Sequence, residues 1–204
     1  MDRSVEFFES QFRRQVREGE FALNPFERSA LPHVRGTVLD LGCGLGNLAV
    51  EAARRGCRVV ARDASATAIE RLRQVAAAER LPIDAACADL ADYRIGKTFD
   101  SIVSIGLLMF FRRPLAEALL REIQRNVAPG GVAVVNVLIE GTTFMEMFDP
   151  GGYTLFRRME VQDAFANWEI LESRFDRFDA PGKTVKAFST VIARKPAHSK
   201  GGSP

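Results

Sequence analysis

The 204-residue sequence contains little cysteine and little histidine, and both shortages narrow the chemistry open to it. Its three cysteines, Cys43, Cys57 and Cys87, are odd in number and irregularly spaced, which argues against a disulfide framework and for a reducing compartment. No Cys-x-x-Cys pair is present, so we predict no bound metal. We interpret the cysteines as small buried residues rather than thiophilic sites for a metalloid. Only two histidines occur, and a histidine general base would have to be His33.

Strong charge and long apolar runs are also missing. The formal net charge is +2, and basic and acidic residues are interleaved, which disfavours nucleic acid as the main substrate. The longest apolar run, residues 102–111, is far shorter than the roughly 20 residues that span a bilayer, and the charged N-terminus lacks the apolar stretch of a signal peptide. We therefore expect a cytoplasmic protein, monomeric or homodimeric, with neither nucleic acid nor a membrane as partner.

What the sequence does contain is a glycine-rich turn in residues 37–47, TVLDLGCGLGN, where an apolar strand runs into a helix. Such a junction in an open α/β sheet binds nucleotide-like ligands. The spacing departs from the dinucleotide fingerprint, because Asn47 stands where that pattern requires glycine. Asp40 would repel a pyrophosphate and attract a cation. The turn therefore predicts a ligand that carries adenosine, lacks a pyrophosphate and is cationic at one end, and S-adenosylmethionine has these properties.

Strands alternate with helices along most of the chain, which predicts a doubly wound, mostly parallel sheet with helices on both faces. An amphipathic helix is expected at residues 4–18, with irregular chain after it at Asn24-Pro25 and Leu31-Pro32. A Pro-Gly-Gly turn at 129–131 is expected to lead into a strand over 132–139. The last two strands are joined too closely for a crossover helix, so they should be antiparallel.

The composition, 47% hydrophobic and 26% charged, is typical of one globular domain, which we assign to residues 1–195. Within it we expect an N-terminal helix and lid region at 1–36 and a cofactor-binding core at 37–139. Residues 140–195 would supply a substrate-side insertion and a C-terminal hairpin. Residues 196–204 are rich in Gly, Ser and Pro, and we expect them to be disordered.

Polar residues at the ends of the predicted strands are candidate contacts for the ligand. Asp63 could accept both ribose hydroxyls, although it could instead cap the next helix, for which Ser65 is better placed. Asp89 could accept from the adenine amine with Leu90 packed on the ring, or it could only close a turn. The predicted cofactor-binding residues are Asp40, Gly42, Gly44, Asn47, Asp63, Ala64, Asp89, Leu90, Ser104 and Ile105.

These ordered features resemble the class I S-adenosylmethionine-dependent methyltransferases over residues 37–193. The resemblance rests on VLDLGCG at 38–44, Asp63, Asp89-Leu90, Phe99-Asp100 and PGG at 129–131. It implies a seven-stranded sheet with the last strand reversed. Within the class, the chain is most like the tellurite-resistance methyltransferase branch, through Ser104 with LLMF at 107–110, Trp168-Glu169 and the ending FSTVIARK at 188–195.

The resemblance also indicates candidate residues near the reacting atoms. That branch carries a His-Arg pair before its last strand, whereas this chain has Asp176-Arg177, which keeps the arginine and lacks the histidine. Phe8 and Phe12 match the branch's aromatic N-terminal helix; they could cover the site or simply belong to the core. Phe8, Phe12 and Arg177 are therefore the candidate catalytic residues.

We expect an S-adenosylmethionine-dependent methyltransferase that acts on a small molecule, such as a metalloid oxyanion or a thiol. Soft nucleophiles of this kind need no general base, which fits the shortage of histidine. Hydroxyl or amine acceptors would need a base, such as His33, Glu140 or Asp149. The alternative is a non-catalytic S-adenosylmethionine-binding sensor or partner subunit, since a fold by itself does not establish catalysis.

Overall fold

A computed structural model describes residues 3–197 of the chain. The helices are α1 Arg3–Glu18, α2 Pro25–Ala30, α3 Asn47–Arg54, α4 Ala66–Glu79, α5 Arg113–Asn126 and α6 Glu160–Ala164. The strands are β1 Thr37–Leu41, β2 Arg58–Asp63, β3 Ile83–Cys87, β4 Phe99–Ile105, β5 Val127–Leu138, β6 Glu169–Ala180 and β7 Thr184–Arg194. Short 3-10 turns lie at Leu108–Phe110 and Pro181–Lys183.

The strands form one seven-stranded sheet in the order β3-β2-β1-β4-β5-β7-β6. The first five strands pair in parallel, while β7 is antiparallel to both β5 and β6. The predicted doubly wound α/β fold with a reversed last strand is therefore confirmed. Because β7 is reversed, its first residues lie at the same edge of the sheet as the carboxyl ends of β1, β4 and β5.

Both faces of the sheet are covered by apolar side chains, as expected for parallel strands. One buried cluster contains Leu39 and Ile102 and extends under α5 and α6, while the other contains Val38 and Val103 and lies under α3 and α4. Neighbouring residues of a strand point to opposite faces of the sheet, so Val38 and Leu39 of β1 belong to different clusters. Among residues 3–197, none of the helices has both the length and the apolar character needed to cross a bilayer.

The segment after α1 is more regular than the sequence predicted, and the expectation of irregular chain at Asn24-Pro25 is wrong. Asn24 Oδ1 accepts from the backbone N–H groups of Phe26 and Glu27, at 2.9 Å each, and Glu27 Oε2 accepts from Asn24 N at 2.7 Å. This reciprocal arrangement is a capping box, and Pro25 occupies a first-turn position that suits proline. The same Asn-Pro pair is also a turn signal, which is why the helix was missed.

The start of β5 also differs from the prediction. The strand begins at Val127 rather than near 132 and continues through the Pro-Gly-Gly stretch with a register irregularity opposite Phe99–Ser101. Gly131 permits this path, because a Cβ there would lie 2.7 Å from the carbonyl oxygen of Asp100. The tail predicted to be disordered, 196–204, lies almost entirely outside the described residues.

Candidate functional site

A cavity of about 950 Å³ opens at the edge of the sheet where β1, β4 and β5 end. Nine of the ten predicted cofactor-binding residues line it: Asp40, Gly42, Gly44, Asn47, Asp63, Ala64, Asp89, Leu90 and Ile105. Phe8 and Phe12 line it too. The structure therefore brings together residues from four strand ends and from α1, which are widely separated in the sequence.

The glycine turn forms the floor of this cavity. Gly42 and Gly44 adopt φ values of +70° and +51°, and Gly46, at +72°, precedes the first residue of α3. The N–H of Gly42 donates to the Arg62 carbonyl at 2.8 Å, which ties the turn to the end of β2. A Cβ on Gly46 would lie 2.6 Å from the Leu72 side chain. The turn thus needs glycine for its backbone conformation and for its close packing on α4.

Asp63 holds two backbone groups as the last residue of β2. Its Oδ2 accepts from Gly44 N and its Oδ1 accepts from Ser65 N, both at 2.8 Å. Ser65 itself caps α4, where its hydroxyl accepts from Ala68 N at 3.1 Å. Burial raises the pKa of Asp63 although these N–H donors oppose the shift. Each carboxylate oxygen keeps a further lone pair for a ligand hydroxyl, so ribose binding remains a prediction.

Asp40 faces the cavity from β1 and is only 4% exposed. Burial, followed by the negative charges of Glu27 and Asp63, raises its pKa to about 8. Burial also raises the pKa of Glu27, which lines the same cavity from α2. Three carboxyl groups around one space resist ionisation together, and a bound cation would stabilise their charged forms. A ligand with a positively charged end would supply this cation.

Two residues that line the cavity each have a buried polar atom without a hydrogen-bond partner among the described residues. Asn47 Oδ1 is buried and unpaired among the described residues, although its Nδ2 is within 3.5 Å of the Ala22 carbonyl. Asn136, on β5, donates to Thr190 Oγ1 at 2.8 Å and keeps a buried, unpaired Oδ1. Both residues line the cavity. Such atoms are costly unless a ligand or water satisfies them, so they support the presence of a polar ligand.

The other predicted cofactor-binding residues differ in whether their side chains reach the cavity. Asp89 Oδ1 accepts from Ala91 N at 2.9 Å and so closes a turn, and Asp89 also lines the cavity, so adenine binding stays a prediction. Leu90 is 6% exposed and forms part of the wall. Ser104 is buried in β4 outside the cavity lining, whereas Ile105 and Gly106 reach the lining. The Ser104 side chain therefore lies outside the cavity lining, while the role predicted for this strand end, backbone carbonyls that hold an ammonium group, stays a prediction.

Helix α1 lies over the other part of the cavity. The Phe8 ring packs edge-on against Phe110 at a centroid distance of 5.2 Å and is 5.9 Å from the Phe12 ring. Phe12 rests on the glycine turn, since a Cβ on Gly44 would lie 3.2 Å from its Cζ. Phe8 also packs against the buried core, so it both lines the cavity and belongs to the core. The two alternatives given for the phenylalanines of α1 are therefore compatible.

A carboxylate anchors α1 in this position. The hydroxyls of Ser65 and Thr67, at the start of α4, both donate to the Glu9 side chain. Burial opposes ionisation of Glu9, but these two hydrogen bonds outweigh it and the pKa of Glu9 is lowered. The helix is therefore fastened beside Asp63, at the edge of the ligand cavity.

Arg177 is not brought to the site. It is exposed on β6, opposite Ala187 of β7, and lies outside the cavity lining. The cation that does line the cavity is Lys186, which sequence reasoning missed. The sequence signal that could have identified it is the single charged residue among the apolar residues of 185–188.

Two of the three cysteines also reach the cavity. Cys43 is buried, and burial raises the pKa of its thiol. Cys87 is exposed and lines the cavity, so the interpretation of all three cysteines as buried is wrong for this one. His33, by contrast, lies outside the lining.

Comparison with known proteins gives matches to several methyltransferases and to a protein named hemagglutinin 1 of Eikenella corrodens, which is 28% identical over 78% of this chain and 54% of that protein. Residues 38–131 match a sequence family described as a methyltransferase domain. The probable S-adenosyl-L-methionine-dependent methyltransferase TehB of Haemophilus influenzae is 29% identical over 164 residues, which is 78% of this chain and 57% of that protein. The crystal structure of TehB from Haemophilus influenzae superposes with a TM-score of 0.76 at 23% identity, covering 89% of this chain and 65% of that one.

A second solved structure covers nearly the whole of both chains. It concerns the conversion of a disulfide bond into a thioacetal group during echinomycin biosynthesis, and it matches with a TM-score of 0.66 at 25% identity over 96% of this chain and 94% of that one. The present chain spans about half the length of the curated relatives it matches first.

Proposed function

We propose that this chain, which is similar to S-adenosylmethionine-dependent methyltransferases and among them to TehB of Haemophilus influenzae, methylates a small acceptor, either a metalloid oxyanion or a thiol. The observation that carries this proposal is the composition of the cavity. One end is lined by carboxyl groups and backbone N–H groups, and the other is lined by phenylalanine rings.

The polar end suits the cofactor of this family. Asp40 and Glu27 would face its cationic portion, the Gly42–Gly44 turn would lie against its amino-acid portion, and Asp63 would accept from its ribose. Asp89 and Leu90 would hold the adenine. When bound, S-adenosylmethionine supplies a methyl group already activated by its sulfonium, so the protein's task is mainly to position the acceptor.

The apolar end suits an acceptor that needs no general base. Of the three bases considered from the sequence, His33, Glu140 and Asp149, none lines the cavity. An oxyanion with a lone pair on selenium or tellurium, or a thiol with its low pKa, can react without one. The matched protein connected with disulfide-to-thioacetal conversion also concerns sulfur chemistry, which favours a soft acceptor here.

The proposal is tested by a radiolabelled methyl-transfer screen. Selenite, tellurite, small thiols and matched alcohols and amines would be offered with labelled S-adenosylmethionine, and volatile products would be trapped. We expect label in the selenite, tellurite or thiol reactions and none with the alcohols. Label confined to alcohols or amines would make the acceptor proposal wrong. Tight S-adenosylhomocysteine binding with no transfer to any acceptor would instead support a sensor or partner subunit.

A further inference from the structure

Lys186 is the single cationic side chain among the described residues that line the ligand cavity. It is the third residue of β7, and the reversal of that strand brings it to the edge where the parallel strands end. Its register partner on β6 is Phe178, and Phe188, two residues further along β7, lines the cavity with it. The position is therefore set by the sheet and not by a loop.

The surroundings of this lysine are apolar. Its Nζ lies 4.4 Å from the centroid of the Phe144 ring, and Phe144 in turn packs edge-on against Phe7 of α1 at 6.4 Å. Burial lowers the pKa of Lys186, with no carboxylate opposing that shift. Within residues 3–197, no acidic side chain forms an ion pair with it.

An ammonium group in this setting lacks part of its hydration without gaining a countercharge. The face of the Phe144 ring compensates only weakly for this loss of hydration. The carboxyl groups that line the cavity do not pair with Lys186. Asp40 and Asp63 lie beside the glycine turn, on β1 and β2, and Glu27 lies on α2, whose Phe26 ring packs on Phe188 of β7 at a centroid distance of 4.8 Å, but its carboxyl group forms no ion pair with the lysine. A ligand that places a negative charge beside Lys186 would supply the countercharge that the protein does not provide.

We propose that Lys186 binds the negatively charged group of the methyl acceptor, and that the acceptor is accordingly a small anion. This inference rests on the proposed function and refines it. Two acceptors share this chemistry: an oxyanion that is itself methylated, and a thiol that carries a separate carboxylate. Lys186 is then a specificity-determining residue, since a neutral acceptor of the same shape gains nothing from it.

The proposal is tested by binding and by turnover, with a matched pair of probes. The probes are 3-mercaptopropionate and its neutral amide, 3-mercaptopropionamide, with selenite as a third. Calorimetry on the protein saturated with S-adenosylhomocysteine measures their binding, and labelled methyl transfer measures kcat and KM. The variants are K186M, which removes the charge, and K186R, which keeps it. K183M removes a lysine from the exposed turn of the same hairpin and serves as the control.

We expect the natural protein to bind the carboxylate at least about tenfold more tightly than the amide, since hydrogen bonds to charged groups are the strong ones. K186M should remove that preference by weakening the carboxylate alone, whereas K186R and K183M should keep it. If selenite is the acceptor, its KM should rise in K186M with kcat little changed. The affinity for S-adenosylhomocysteine should stay within about twofold in every variant.

Other results would overturn the proposal. Equal binding of the carboxylate and the amide, with selenite also unaffected by K186M, would show that Lys186 does not select an anion. A loss of kcat in both K186M and K186R, with a shifted pH profile, would make the lysine a base instead. If no probe is methylated but the carboxylate preference is present and depends on Lys186, the proposed function fails and the anion site stands.

Discussion

The two ends of the ligand cavity are built in different ways. The end expected to hold the cofactor is formed by the glycine turn and the strand ends beside it, and its N–H groups are held by hydrogen bonds: Gly44 N donates to the Asp63 carboxylate and Gly42 N to the Arg62 carbonyl. The end expected to hold the acceptor is formed by side chains from α1, the 107–111 segment and β7, with Met147. One end is local and polar, and the other is assembled from remote, apolar pieces.

This difference has a physical consequence for how each end responds to change. The glycine turn is held by hydrogen bonds to its own N–H groups, and one of these depends on the Asp63 carboxylate. The aromatic wall is held by ring packing, in which Phe8 contacts Phe7, Phe12 and Phe110 on a helix that Glu9 fastens to α4. We therefore expect substitutions in the wall to affect turnover, and substitutions at the polar end to affect cofactor affinity and folding.

The largest effect is expected for Phe8→Ala. Removing the ring would open a gap opposite Phe110, admit water and loosen the alignment of the acceptor with the methyl group. Turnover should fall about 100-fold, because small misplacements near reacting atoms have effects of that size. The affinity for S-adenosylhomocysteine should change by less than about threefold. Single-turnover methyl transfer and calorimetry measure the two quantities.

Phe21→Ala is the matched control for this variant. Phe21 follows α1, is 39% exposed and stacks on Arg71 outside the cavity lining. Its removal should leave turnover unchanged. If Phe8→Ala instead lowers the melting temperature sharply and reduces affinity and turnover by the same factor, the aromatic stripe is only core and the division between the two ends is lost.

The next effect in size is expected for Asp63→Ala, which should act on cofactor affinity and on folding together. The substitution removes acceptors for the N–H groups of Gly44 and Ser65 and frees the glycine turn. Affinity for S-adenosylhomocysteine should fall at least about tenfold, and the melting temperature should fall by several degrees, roughly, since each charge-assisted hydrogen bond is worth about 1.5–3 kcal/mol before the cost of burial.

Asp179→Ala, at an exposed position on β6, should change neither quantity. Calorimetry and thermal melts on the two variants make the comparison. An Asp63→Ala protein that melts like the natural one would show that the turn holds its shape without the carboxylate. An unchanged dissociation constant would place the ribose elsewhere.

The polar end could be predicted from the sequence because its parts are local. Spacing along one strand, one turn and one helix start placed Asp40, Gly42 and Gly44 correctly in the cavity, and the alternation of strands and helices predicted where Asp63 and Asp89 would meet them. Hydrophobic periodicity also predicted α1, and the short connection between the last two strands predicted that they are antiparallel.

The apolar end could be predicted only in part. The choice between Arg177 and Lys186 depends on which face of the hairpin turns inward, and this is set by the β6–β7 register, which has an irregularity between Ile170 and Glu172. A shift of one residue exchanges the two faces of a strand. Glu27 was missed for another reason: its role depends on α2, which the Asn-Pro turn signal concealed.

The smallest effect, and the one that most directly tests the electrostatics of the polar end, is expected for Asp40→Asn. Burial and the neighbouring charges of Glu27 and Asp63 raise the pKa of Asp40 from an ordinary 3.8 to about 8. The folded protein without ligand therefore holds a proton that the unfolded chain releases, and the free energy of unfolding decreases as pH rises from about 4 towards 8. Asparagine removes this term, so the variant should be more stable than the natural protein at pH 7.5, and the difference should shrink as the pH falls towards 4.

Cofactor binding should respond in the opposite sense. The ionised form of Asp40 would attract the ammonium group of S-adenosylhomocysteine, which stays protonated over the range from pH 6 to pH 7.5. Affinity of the natural protein should therefore rise severalfold between pH 6 and pH 7.5, with release of a proton, while Asp40→Asn should bind more weakly and show a flatter profile. Calorimetry in buffers of different ionisation enthalpy measures the proton released, and melts over the same range measure stability. Asparagine that lowers stability, or that preserves both affinity and its pH dependence, would mean that the carboxyl group of Asp40 supports the fold and does not face the cation.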